Sequence, residues 1–270
     1  MKKITILFLC FYSIAIFSQD NFKIYYEHTD TGFVILADND EFCPVSAEIN
    51  FNLENLESSK GNNKIFVIPA QKKKHIITNL TVVDRKKRMK LGFNTSYNFG
   101  DHTLNKYEDD FGYYLPFEKG KTYWLSQGYD GATSHKGENA LDFKMPMSSK
   151  IYTARDGVVI DVEDSYSRSC TDAECAKFNN FIVVYHSDGT FAEYTHIKQE
   201  GAKVKIGDQV KIGQFIGYSG NVGWATGPHL HFIVFFQRIK DRETLKTKFL
   251  VDKGNKAMEL IEKEQYTRMY

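Results

Sequence analysis

Four of the eight histidines, with one aspartate, fall in three short segments whose residue types suit metal-assisted proton transfer. In Gly227-Pro-His229-Leu-His231-Phe-Ile-Val-Phe235, strand alternation puts His229 and His231 on one face, roughly 6–7 Å apart, and Leu230, Phe232 and Val234 on the other. One imidazole of such a pair can bind a metal while its neighbour reaches the metal's open position. His135-Lys-Gly-Glu-Asn-Ala-Leu-Asp142 places a histidine and an aspartate on either side of a polar turn. Asp142 there enters an apolar strand, where a bare carboxylate is costly to bury without a cation or hydrogen bonds. In the third segment, Glu193-Tyr-Thr-His196, the histidine terminates a strand. Two histidine nitrogens and one carboxylate oxygen suit a single catalytic Zn²⁺ with a fourth position for water, and two further histidines remain to act on that water or on the substrate. Such a metal acidifies its water and polarises a carbonyl, while one imidazole takes the proton and another stabilises the oxyanion or leaving amine. No H-E-x-x-H helix supplies a glutamate base, so histidine must fill that role.

The elements that position these side chains read as strands. Thirteen of the 19 glycines lie between Gly120 and Gly227, which divides the chain into two unequal parts. Before that zone, short alternating apolar runs (Phe33–Leu36, Ile49–Phe51, Lys64–Ile68, Leu80–Val83) predict a small β-sandwich within an accessory domain over 19–112. From 113 to 245, strands joined by Gly turns and by hairpin signals such as Ser187-Asp-Gly189 predict an antiparallel β catalytic domain. The tail, 246–270, carries helical spacing over 253–265, with Ala257, Leu260 and Ile261 on one face. The fold class expected is mainly β.

Composition bounds the partners. Hydrophobic residues at 42% and charged residues at 26% are globular values, and 35 basic against 34 acidic side chains leave a formal charge of +1. No basic stripe draws the chain to nucleic acid, and the Lys72–Lys74 and Arg85–Arg88 runs read as solvated turns. Lys2 and Lys3 before an apolar run from Ile4 to Phe17 predict a signal peptide over 1–18, hence a secreted or periplasmic protein with no stable membrane insertion after cleavage. Cysteine usage agrees with export: Cys170 and Cys175 bracket a short polar loop and are expected to pair, leaving Cys43 buried or unpaired.

At the three histidine segments the chain resembles the lysostaphin/LytM-type zinc metallopeptidases, metallopeptidase family 23. The resemblance runs from about Tyr113 to Phe236 and takes in Ala140-Leu-Asp142-Phe, Ala154-Arg-Asp-Gly157, Tyr194-Thr-His196, Val210-Lys-Ile-Gly213 and Gly220-Asn-Val-Gly223 through His231. It implies the LytM-type (duplicated-hybrid-motif) fold, with His135, Asp142 and His231 as zinc ligands and His196 and His229 as the unligated catalytic pair. It also implies peptidoglycan peptides as substrate. Six residues separate His135 from Asp142, where many relatives have three. Tyr194, Tyr218, Asn221 and Trp224 are candidates for the substrate groove or the turn beside it. The stretch 94–110 offers Asn94, Asn98, Asp101, His102 and Asp109 as donors to the fourth zinc position, against a plain polar linker. Two other functions compete with wall hydrolysis: a non-catalytic module that binds peptidoglycan or an amidase, and a secreted protease acting on Gly-rich proteins.

Overall fold

A computed structural model describes residues 21–270, and the expected signal peptide lies outside the described residues. Alternation builds the N-terminal sandwich. In Val45–Glu54, Val45, Ala47, Ile49 and Phe51 are buried while Asn50 and Asn52 face solvent. This strand is the centre of a three-stranded sheet, flanked by Lys64–Ile68 and Lys90–Phe99. A four-stranded sheet, in the order Phe22–Thr29, Gly32–Asn39, Lys72–Val82 and Leu56–Ser58, closes over it, and Phe33, Ile35, Ile49, Ile68, Ile77 and Leu80 fill the core between them. Stripes of alternating apolar side chains on two sheets can leave water only by facing one another, which is why the predicted sandwich forms.

The larger unit is a nine-stranded sheet. Its central order is Gly157–Glu163, Phe181–Tyr185, Phe191–Thr195, Leu230–Gln237, Ala140–Lys144 and Thr122–Gln127, all antiparallel, with Gln265–Thr267 on the far edge. Leu230, Phe232 and Val234 point into a core with Tyr194, Phe143, Ile182 and Phe249, as alternation predicts. The other face, carrying Ile233, Phe235, Phe191, Val183 and Ile160, is covered in part by Cys43 and Phe99 from the sandwich region. Gly100, at φ +92°, makes that approach possible, because a Cβ there would sit 2.9 Å from the Phe191 ring. Cys43 is buried and unpaired among the described residues.

Two expectations fail. The tail is not helical: Asp252–Gly254 is a single 3-10 turn, Lys256–Met258 pairs with Lys248–Val251, and Gln265–Thr267 pairs with Thr122–Gln127. Leu260 is buried but Ala257 and Ile261 are exposed, so the three share no face. Left-handed backbone at Lys253, Gly254 and Lys263 breaks any helix, and open sheet edges capture the remaining residues. The stretch 94–110 is not a free linker either. Asn94 and Asn98 lie in the strand Lys90–Phe99, and His102 bonds to the Phe99 carbonyl. Arg155, buried under the Phe111 ring, holds Glu108 and Asp188 at 2.7 Å each, clamping the rest of the stretch to the catalytic sheet.

Next to that clamp, His186 is wholly buried, with its Nδ1 2.7 Å from the Asp156 carbonyl and no partner at Nε2. Burial pushes its imidazole down to about 4 from 6.5. The unfolded chain therefore binds a proton that the folded one refuses, and stability present above pH 6.5 is lost as pH falls toward 4, at about 1.4 kcal/mol per unit for one proton. Urea unfolding from pH 6.5 to 4.5 should show a slope shallower by up to one proton in His186→Asn; an unchanged slope would contradict the assignment.

Candidate active site

The site is built on the outer face of the nine-stranded sheet, where register brings distant residues abreast. Asp142 pairs with His231 on one side and with Gln127 on the other, and Thr195 pairs with His231 from the next strand. His135 arrives from the loop before Ala140–Lys144. Its Nε2 and the His231 Nδ1 lie 3.2 and 2.9 Å from Asp142 Oδ1, and one donor atom from each of the three residues falls within 4.8 Å of the others. Burial opposes ionisation of Asp142, and the adjacent His135 and His231 imidazoles outweigh it, holding the carboxyl well below the usual carboxylate range.

The remaining two histidines stand beside this set. His196 and His229 have ring centroids 4.5 Å apart, and His196 is 6.1 Å from His231. Backbone carbonyls fix their orientation: His196 Nδ1 is 2.7 Å from the Val222 carbonyl and His229 Nδ1 is 2.8 Å from that of Gly227. With Nδ1–H donated, each presents a lone pair at Nε2. His135 is held the same way, Nδ1 3.0 Å from the Gly128 carbonyl, and its buried Nε2 has no hydrogen-bond partner. Burial, reinforced by His229 and His231, pushes the His196 imidazole down to about 3. An unpartnered buried imidazole nitrogen beside a carboxylate and a second imidazole fits a divalent cation of zinc's preference.

All five sequence-derived residues thus converge, and of these only His135 does not line a cavity of about 540 Å³. The groove candidates divide. Trp224 lines the cavity, while Tyr194, Tyr218 and Asn221 do not. Tyr194 is fully buried, and its hydroxyl accepts from the Ala154 N–H. His196 has φ +65°, and this left-handed residue inverts the alternation that would have put Tyr194 on its face. Thr195 and Glu193 reach the cavity instead. Tyr218 packs on Phe215. None of Asn94, Asn98, Asp101, His102 or Asp109 lines the cavity. Sequence reading missed Gln127, Glu193 and Arg242, which all line it. Glu193 and Arg242 pair at 3.1 Å, and only the register of neighbouring strands reveals them.

A mainly β domain with a His/Asp/His cluster and two oriented histidines in an open groove has the features of a metallopeptidase. Residues 135–242 match the model of Peptidase family M23. An uncharacterized metalloprotease of Buchnera aphidicola subsp. Baizongia pistaciae is 34% identical over 122 residues, 45% of this chain and 28% of that protein. Peptidoglycan DD-endopeptidase ShyA of Vibrio cholerae is 38% identical over 94 residues, 35% of this chain and 19% of its own length. The chain therefore matches less than a third of either relative. The catalytic domain of the antimicrobial peptidase lysostaphin from Staphylococcus simulans superposes over 46% of this chain and 87% of that domain, at 27% identity and a TM-score of 0.33.

One wall of the cavity comes from the loop around Thr171, Ala176 and Asn179. The Cα atoms of Cys170 and Cys175 are 6.0 Å apart, a span a disulfide bridges. Trp224 ties to this loop through its indole N–H to the Thr171 carbonyl. A bridge closing so short a loop would contribute only roughly 2 kcal/mol by the chain-entropy model, so its main effect would be local. Mass analysis of an unreduced digest should recover a linked Cys170–Cys175 peptide; Cys43 joined to either would contradict the pairing.

Proposed function

We propose that this chain is an exported zinc endopeptidase that hydrolyses peptide cross-links of bacterial peptidoglycan. The observation that carries the reading is the convergence of His135, Asp142 and His231 within 4.8 Å, with His196 and His229 aimed into the same groove. In this proposal His135 Nε2, an Asp142 carboxylate oxygen and His231 Nδ1 hold the metal. Zinc bound there would lower the pKa of water toward neutrality and polarise the scissile carbonyl.

The chain's own residues do the proton work. As water's oxygen bonds to the carbonyl carbon, one Nε2 of the His196/His229 pair accepts its proton. The other, carrying a proton at Nε2 as well as at Nδ1, donates a hydrogen bond to the developing oxyanion and keeps that proton throughout. When the C–N bond breaks, the accepted proton passes to the leaving amine, so protons and charge balance. The Val222 and Gly227 carbonyls fix both rings through Nδ1–H and aim both Nε2 atoms at the groove. An open groove on a sheet face admits an extended peptide, and the similarity to a peptidoglycan DD-endopeptidase supports wall peptides as the substrate class. The intact set of five residues favours catalysis over a binding role. Among the described residues no helix is long and apolar enough to cross a membrane; the proposed export rests on the N-terminal apolar run.

Separate metal and turnover measurements test the roles. His231→Ala and Asp142→Ala should lose stoichiometric zinc. His196→Ala and His229→Ala should keep it while turnover of cross-linked wall fragments falls by about 10²–10⁴. Equal zinc loss in all four variants would overturn the division. Mass analysis of digested wall should show cross-linked fragments separating, with a chelator abolishing the reaction and zinc restoring it; intact cross-links after incubation with the zinc-loaded protein would refute the substrate class.

A further inference from the structure

Gln127 is buried and ends the strand Thr122–Gln127, beside Asp142. The register between the two strands slips at Asp142/Phe143, a bulge that leaves Ser126 without a partner and turns Gln127 onto the face that carries Asp142. Its amide makes four contacts. Oε1 accepts from the backbone N–H groups of Thr133 at 3.1 Å and Ser134 at 3.2 Å. Nε2 donates to the Ser134 hydroxyl at 2.7 Å and to Asp142 Oδ2 at 3.3 Å. The orientation is unambiguous, because two backbone N–H groups can be met only by the oxygen, which leaves the NH₂ for the carboxylate. Gly131 lets the loop close over the side chain: a Cβ there would lie 2.5 Å from Gln127 Cγ.

Resting on the metal reading above, we infer that Gln127 is the positioning residue of the metal centre: one amide fixes both the loop that delivers His135 and the carboxylate that receives it. The Asp142 oxygens divide accordingly. Oδ2 is held by Gln127, and Oδ1 faces His135 and His231. The six-residue separation of His135 from Asp142 makes such a tie necessary, since a turn of that length does not set the imidazole's place by itself. The Thr133 and Ser134 N–H groups, fixed immediately before His135, supply the missing constraint. Outer contacts of this kind orient metal ligands and typically change metal affinity by about 10–100-fold when removed.

Gln127→Met keeps the side chain's bulk and removes all four contacts. In the full chain, zinc affinity measured by chelator competition should fall by about 10–100-fold, and the visible spectrum of the Co²⁺-substituted protein should shift as the ligand geometry loosens. Ile182→Val, in the core beneath the sheet, serves as the control for mere destabilisation and should leave both readouts in place. Zinc affinity within twofold of the parent together with an unchanged Co²⁺ spectrum would overturn the inference. So would an Ile182→Val variant that loses zinc to the same extent at the same melting temperature. A parent protein that binds no zinc, or a His231→Ala variant that binds it as well as the parent, would overturn the metal reading itself rather than the role of Gln127 alone.

Discussion

Asp142 is a carboxylate buried on the face of an antiparallel sheet, and the surrounding structure follows from the need to keep it charged there. Taking an isolated carboxylate out of water costs far more than a protein's net stability, so it must be met by donors or a cation. Two donors come from its strand neighbours, His231 on one side and Gln127 on the other, and the preceding turn brings the His135 imidazole to 3.2 Å. Their geometry leaves nitrogen lone pairs and a carboxylate oxygen around a single point. Hydrogen bonds satisfy the cluster only in part, as the unpartnered Nε2 of His135 shows. A divalent cation would complete it.

The same sheet face organises what lies outside the cluster. Moving along Leu230–Gln237 from His231, the next two residues on that face are Ile233 and Phe235, which pack against Cys43 and Phe99. The sandwich thus begins where the groove ends, two residues along the strand from His231. Glu193 and Arg242 mark the boundary between the polar groove and the aromatic contact. At the opposite side the Cys170–Cys175 loop and Trp224 form the wall. Arg155 fixes the segment between sandwich and sheet, binding Glu108 from the segment and Asp188 from the Phe181–Thr195 hairpin. The groove thus has sheet on its floor and loop on one side.

Much of this was legible because period-2 alternation is a local property. The facing of His229 and His231, the sandwich stripes and the hairpin at Ser187–Gly189 depend on neighbours in sequence, and all are present. What failed depended on something that residue type does not encode. Tyr194 left the groove because one left-handed residue, His196, reversed the alternation. The tail's helical spacing gave way to strand pairing, locally where Lys256–Met258 meets Lys248–Val251 and with an edge more than 100 residues away in sequence where Gln265 meets Trp124. Gln127 carries no sequence signal at all: a lone glutamine acquires its place from a bulge and from the loop folded over it. Glu193 and Arg242 likewise meet only through the register of separate strands.

X-ray absorption at the zinc edge of the stoichiometrically loaded full-length protein tests the central claim most directly. Two imidazole nitrogens and carboxylate or water oxygens at about 2.0–2.2 Å are the expected shell. The multiple-scattering pattern should correspond to two histidines, and it should fall to one in His135→Ala while His229→Ala leaves it unchanged. A sulfur shell near about 2.3 Å, or a loss of imidazole scattering in His229→Ala equal to that in His135→Ala, would contradict the assignment of the metal to the His135, Asp142 and His231 cluster.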